Sequence, residues 1–207
     1  MSGIIAQNTL DNSGLIKSPA GGGAWNFIKK LTASGDADLS FVDGTDDVVL
    51  DSTYKEIVFT FVNIHPSNDG KNFSFQGSTD GGSSYGVTMT STAYQTYHDE
   101  SDTDYGLSYR INSDNDNDTD YPDLTQESSA DNDHGVCGYL HCYGLSSTTY
   151  VKHWMCRFST VHKQDYVNGF YSAGYFNSAA SAIDAIQFKF NANNIDAGDI
   201  CLYGISS

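Results

Sequence analysis

Glu56-Ile57-Val58-Phe59-Thr60-Phe61-Val62-Asn63-Ile64 is the stretch that decides the fold. β-Branched and aromatic residues fill it, as they fill pleated strands. From Ile57 to Val62 it is apolar on both faces of an extended chain, so it belongs in the middle of a sandwich. A second stretch, Ile186-Gln187-Phe188-Lys189-Phe190, alternates strictly and reads as a strand with one face in the core and one in water. Working outward from these two, the pattern predicts strands at Trp25–Ala33, Ala37–Val42, Asn72–Gly77, Tyr85–Thr90, Tyr105–Ile111, Val136–Tyr143, Thr149–Phe158, Phe170–Phe176, Ile183–Phe190 and Asp199–Ile205. Turn signals such as Asp43-Gly44 and Pro66-Ser67-Asn68-Asp69-Gly70 separate them. About eleven short strands of this kind predict two packed sheets. The expected fold is an all-β, antiparallel, jelly-roll-like β-sandwich with its first and last strands side by side. No internal repeat is visible, which argues against a propeller or a solenoid.

Composition agrees. Of the 26 acidic residues among 207, 23 are Asp and three are Glu, and Asp favours turns over helix interiors. Fourteen Tyr and 11 Phe suit pleated surfaces. A chain of this length buries roughly 70% of its unfolded surface and needs no staples to fold. The balance of 10 Lys+Arg against 26 Asp+Glu, a formal charge of −16, excludes most nucleic-acid binders and attachment to an anionic membrane, both of which need clustered bases. No apolar run reaches the roughly 18–20 residues of a transmembrane helix. Residues 1–20 lack the basic start and apolar core of a signal peptide. Reduced thiols are therefore expected for Cys137, Cys142, Cys156 and Cys201.

Residues 1–24 read as an extended N-terminal arm. Ile4, Ile5, Leu10, Leu15 and Ile16 are scattered without a strand or helix period, and Pro19 with Gly21-Gly22-Gly23 makes a joint. Residues 25–207 then form a single sandwich domain with an acidic insertion at about 99–133, where 12 acids stand against one base, Arg110. A connection this long inside a compact domain is usually functional or mobile.

Three constellations invite chemistry. Asp114-Asn115-Asp116-Asn117-Asp118-Thr119-Asp120 alternates carboxylates, the material of calcium loops. Counted from Asp116, Glu127 falls in the twelfth position, but Tyr121 stands where the sharp turn needs Gly, and no flanking helices are evident. A solvated acidic loop is expected, with Asp114, Asp116, Asp118 and Asp120 as the calcium candidates and no resident metal or cofactor. His134-x-x-Cys137 and His153-x-x-Cys156, with His141-Cys142 between, have the count of a zinc site. A spacing of three, however, sends side chains to opposite faces of a strand. Ser78-Thr79-Asp80-Gly81-Gly82-Ser83-Ser84-Tyr85 resembles the Asp-box turn of sialidases and many other β proteins, which is structural there.

For catalysis there is no H-E-x-x-H, G-x-S-x-G, P-loop or G-x-G-x-x-G pattern, and the chain is expected not to be an enzyme. Tyr94, Tyr97, Tyr105, Tyr109 and Tyr121 crowd the acidic region, where exposed rings stack on sugars or anchor a protein interface.

Several stretches carry a family likeness: Tyr54-Lys55-Glu56-Ile57-Val58-Phe59, then Asn63-Ile64-His65-Pro66 and Phe73-Ser74-Phe75-Gln76-Gly77-Ser78-Thr79-Asp80-Gly81-Gly82. Later come Gly138-Tyr139-Leu140-His141, Ser146 through His153, and Ile195 through Ile205. In this order they resemble virion structural proteins of marine tailed bacteriophages, including cyanophages. The likeness covers roughly residues 25–98 and 135–205 and leaves out the acidic insertion. It implies a sandwich core, no catalytic motif, and residence in the virion after assembly in the host cytoplasm. The implied role is a capsid decoration (cement) protein on the head, or a tail or fibre component. The implied partners are other virion proteins and copies of itself, with a trimer as the leading expectation, and neither nucleic acid nor membrane. The alternative from another class is a carbohydrate-binding module that recognises host glycans.

Overall fold

The computed structural model describes residues 24–206. The arm expected at residues 1–24 lies, apart from Ala24, outside the described residues. Among the described residues there are twelve strands and no helix. Nine strands form one antiparallel sheet, in the order β1 (Trp25–Ala33), β12 (Ile195–Ile205), β3 (Glu56–Pro66), β8 (Val136–Tyr143), β9 (Lys152–Val161), β10 (Tyr166–Phe176), β5 (Met89–Asp99) and β6 (Tyr105–Tyr109). The short β7 (Asp116–Asp118) also pairs with β5. The other sheet holds β2 (Leu39–Val42), β11 (Ala185–Phe190) and β4 (Phe73–Ser78) in that order. The first and last strands are neighbours, and β3 lies inside the large sheet. The architecture is compatible with a jelly-roll-like sandwich, with its strands shared very unequally between the two sheets.

The core lies between the sheets and is built on phenylalanine. Phe188 of β11 meets Phe59 and Phe61 of β3, each at 5.0 Å between ring centroids, and stacks near Phe73 and Phe75 of β4. Phe75 meets Trp154 edge to face at 4.9 Å. Edge-on pairs of this kind add about 0.5–1.5 kcal/mol each beyond the area they bury. Strand β9 shows the logic plainly: Lys152, Trp154, Cys156, Phe158 and Thr160 are buried, while His153, Met155, Arg157 and Ser159 point out. The buried Lys152 ammonium donates to the carbonyls of Ser178 and Ser181. Burial pushes its pKa down.

Several strands are longer than their pattern suggests: β12 starts at Ile195 rather than Asp199, β3 runs to Pro66, and β5 and β10 are extended for one shared reason. β5 runs from Met89 to Asp99, so the strand expected at Tyr85–Thr90 is wrong over its first four residues and stops nine short, and β10 starts at Tyr166 instead of Phe170. Their inward positions include Gln95 and Asn168, both buried, with the Asn168 amide donating to Gln95 at 3.1 Å. A buried polar pair joined by a hydrogen bond breaks the apolar alternation that marks a strand, although the Asn168 side-chain oxygen has no partner among the described residues.

The acidic insertion is part of the fold. β6 and β7 widen the large sheet, and residues 119–128 then cross to the small one. Asp123 bridges to Ser74, Ser128 bridges to both Lys71 and His162, and Leu124 is wholly buried. The segment is a strap that ties the two sheets along one side. Donors from this chain hold several of its carboxylates. Asp99 accepts from Ser101 and Thr103, Asp118 from the Asn115 side chain (2.8 Å) and the Asp120 amide (3.0 Å), and Glu127 from Lys163 (2.6 Å) and His162 (3.0 Å). Asp123 accepts from Asn72 at 2.7 Å, yet burial lifts its pKa to about 7, with hydrogen bonds to Ser113 and Asn72 opposing the rise.

The Asp-box stretch is a turn, as read. Asp80 accepts from the Ser78 hydroxyl (2.7 Å), the Ser84 amide (2.9 Å) and the Ser84 hydroxyl (2.5 Å), which hold its pKa down at about 2. Gly81 and Gly82 take φ of 69° and 76°, and a Cβ on Gly82 would press on the Tyr85 hydroxyl at 2.9 Å.

Candidate functional site

The outward face of the large sheet carries the most distinctive surface of the molecule. Strand register arranges its side chains in rows that run across the strands. One row is Tyr139, Arg157, Tyr171, Tyr94 and Tyr109, on β8, β9, β10, β5 and β6 in turn. The Arg157 guanidinium lies 5.2 Å from the Tyr171 ring centre, and Tyr171 stacks on Tyr94 at 4.8 Å and 6°. A second row is Val161, Val167, His98 and Tyr105, where His98 stacks on Tyr105. Between the two lies a row of small side chains, Ser159, Gly169 and Thr96. Rows two residues apart on one face stand about 7 Å from each other, so the small row is the floor of a trough between two bulky ridges. The trough encloses about 530 Å³. Gly169 keeps the floor low, since a Cβ there would stand 2.7 Å from the Thr96 hydroxyl.

Farther along the same face, Trp25 meets Tyr203 at 5.5 Å and His141 at 6.2 Å, and Phe27 meets Tyr203 at 5.7 Å. These rings belong to strands that flank Val58, which pairs with Tyr203 on one side and His141 on the other and has no exposed surface. The chain itself therefore covers the second apolar face of β3 at Val58. Val62 remains half exposed. Carboxylates are sparse here and engaged: Glu56 accepts from His141 (2.5 Å), and Asp199 from Thr32 (2.5 Å) and Lys30 (3.1 Å), which lower its pKa. Trp25, Phe27, Tyr105, Leu107, Tyr109 and Val167 are each at least half exposed.

The residues singled out from sequence fall in different places. Asp114 accepts from the Tyr109 hydroxyl, Asp116 sits on β7, and Asp118 and Asp120 belong to one hydrogen-bonded turn. None of the four belongs to a grouping of three ligand atoms close enough to share an ion, among the described residues. His153 points out and Cys156 in, as the spacing of three requires. Cys142 and Cys156 are buried thiols, and burial pushes the Cys156 pKa up to about 12. Cys137 is exposed and lies against Asn63. Tyr94, Tyr105 and Tyr109 do gather on the outer face. Tyr97 instead meets Tyr166, and Tyr121 lies under the Lys189 ammonium at 3.9 Å.

Sequence reasoning missed Tyr139, Arg157, Val167, Gly169 and Tyr171. The signal was present in the outward positions of β8, which read Cys137, Tyr139, His141 and Tyr143 where a solvated face would carry charge. Only the register shows that these positions meet Arg157 and Tyr171 in one row. No protein-family model matches the chain. No curated protein and no solved structure matches it either.

Proposed function

We propose that this chain is a non-enzymatic structural protein of a tailed-bacteriophage virion, a decoration (cement) protein on the head exterior or a tail- or fibre-associated component. The observation that carries this reading is the outer face of the large sheet. It is ridged, aromatic, poor in free charge and left open by the described residues. Soluble monomers seldom leave so broad an apolar surface in water, and such surfaces mark contact with another protein. The sequence likeness to phage virion proteins supplies the setting. Neighbouring virion proteins and sibling copies are the partners of this face, with three copies as the stoichiometry. Contacts that are individually weak suffice when a symmetric particle repeats them.

The test replaces Phe27 and Leu107, which are 61% and 70% exposed, by Ser in one chain. The expected outcome is a folded protein that sediments as a monomer and no longer joins assembled particles. Incorporation at the wild-type level would sink the proposal.

One observation favours a second reading, a glycan-binding module. The trough over Gly169 is flanked by Tyr139, Tyr171 and Arg157, and a sugar ring stacks on tyrosine while guanidinium and hydroxyl groups bind its edges. Retention on immobilised polysaccharide, lost in Tyr171→Ala, would favour this reading over the first.

A further inference from the structure

We infer that Asp131, His134 and Asp165 form a site for a divalent transition metal, zinc or manganese by the chemistry of its donors, at one end of the large sheet. Two loops bring the residues together. Asp131 and His134 close a turn before β8, in which the His134 amide donates to the Asp131 carbonyl at 2.9 Å. Asp165 sits in the turn between β9 and β10 at φ 59°, with its amide on the His162 carbonyl at 2.9 Å. The loops share one frame, because the Ser129 amide donates to Val161 and the Lys163 amide to Glu127, both at 2.9 Å.

One ligand atom from each of the three residues lies within 4.8 Å of the other two. A second observation points the same way. Nδ1 of His134 is buried and has no hydrogen-bond partner, although Oδ2 of Asp131 stands 3.9 Å from it. That gap is too long for a hydrogen bond. It is close to the spacing of two ligands on one ion, since donors bound at about 2.0–2.2 Å in a tetrahedron stand roughly 3.3–3.6 Å apart. The other ring nitrogen, Nε2, lies 3.8 Å from a carboxylate oxygen of Asp133. That gap is also too long for a hydrogen bond, so Asp133, a largely exposed carboxylate, adds negative charge beside the ring without orienting it. His65 steadies the turn through Nε2, 3.1 Å from the Asp131 carbonyl.

The donor set decides the class of ion. One imidazole and two carboxylates suit zinc or manganese, whereas calcium prefers an all-oxygen shell of about six to eight ligands. Three protein ligands leave further positions for water or for a residue of a neighbouring subunit. Cys137, only three residues beyond His134, is not a ligand: it lies on the outer face against Asn63.

The test uses the full chain, stripped with chelator, dialysed and titrated with zinc, manganese and calcium in separate calorimetric runs. One zinc or manganese ion per chain is expected, with a rise in melting temperature. His134→Gln and Asp165→Asn should each weaken binding at least about tenfold. Asn tolerates the positive φ at that position, and both variants should melt like the stripped wild type without metal. Cys137→Ser should bind as the wild type does. Four results would each overturn the inference: no saturable uptake of zinc or manganese, affinity unchanged in His134→Gln, affinity lost in Cys137→Ser, or calcium bound as tightly as zinc.

Discussion

The acidic strap beyond β6, residues 110–133, and the outer face of the large sheet, to which β6 itself belongs, invert the usual relation between polarity and exposure. The strap is the most charged part of the chain, yet side chains and amides of the same molecule answer many of its carboxylates, and it drives Leu124 and Asp123 into the interior. The outer face has few charges and many rings, and nothing in the described chain covers it. Charge on the strap is internal architecture, while the open aromatic rows are surface available to a partner. A long acidic run and an aromatic strand therefore cannot be assigned to surface and core by polarity alone. What counts is whether the chain supplies the hydrogen bonds or the cover.

The strongest way to break this comparison is to unpin the strap. Leu124→Ala removes a fully buried anchor, and losses of about 2–5 kcal/mol are usual for such a change. Denaturant unfolding should show a cost in that range. A loss near zero would mean that the strap lies on the fold without bracing it.

The next test turns on pH. Burial raises the Asp123 pKa from the ordinary carboxylate value to about 7 in the folded protein. The folded state therefore disfavours the ionised form. Stability from this group is fully present below about pH 4 and is lost as pH climbs through about 7. Asp123→Asn keeps an acceptor for Asn72 and removes the titration. Its advantage over the wild type should grow from near zero at pH 4 to on the order of 3 kcal/mol at pH 8. Urea midpoints measured across that range would check this, and parallel curves for the two proteins would contradict it.

Substitutions on the outer face should behave in the opposite way. Phe27→Ser, Tyr105→Ser and Leu107→Ser each change an exposed side chain and should alter stability by only about 0.5 kcal/mol or less. Each should still weaken self-association in sedimentation experiments. A large destabilisation without any change in association would make this face part of the core in energetic terms.

The smallest effect is expected from calcium. Asp114, Asp116, Asp118 and Asp120 do not converge, so calcium added at millimolar concentration should leave the melting temperature of the wild type unchanged. A rise of several degrees, lost in Asp116→Asn, would show that the strap closes on an ion.

Much of the fold was legible along the chain. The bounds of β1 and β8 follow from alternation, and the Asp-box turn follows from its own residues, because each rests on contacts between near neighbours. The errors at β5 and β10 came from Gln95 and Asn168, buried polar residues joined by one hydrogen bond across 73 residues of sequence. The arm at residues 1–24 lies outside the described residues.

By itself the sequence determined the class of fold and the turn at Asp80. Local stereochemistry and a period of two set these features, and both act over a few residues. Tertiary structure alone decided the rest. Cross-strand register placed Tyr139, Arg157, Tyr171, Tyr94 and Tyr109 in one row, and the lacing of two distant loops brought Asp165 to Asp131 and His134. Register is a property of pairs of strands, and a one-residue slip would send every one of those side chains to the other face.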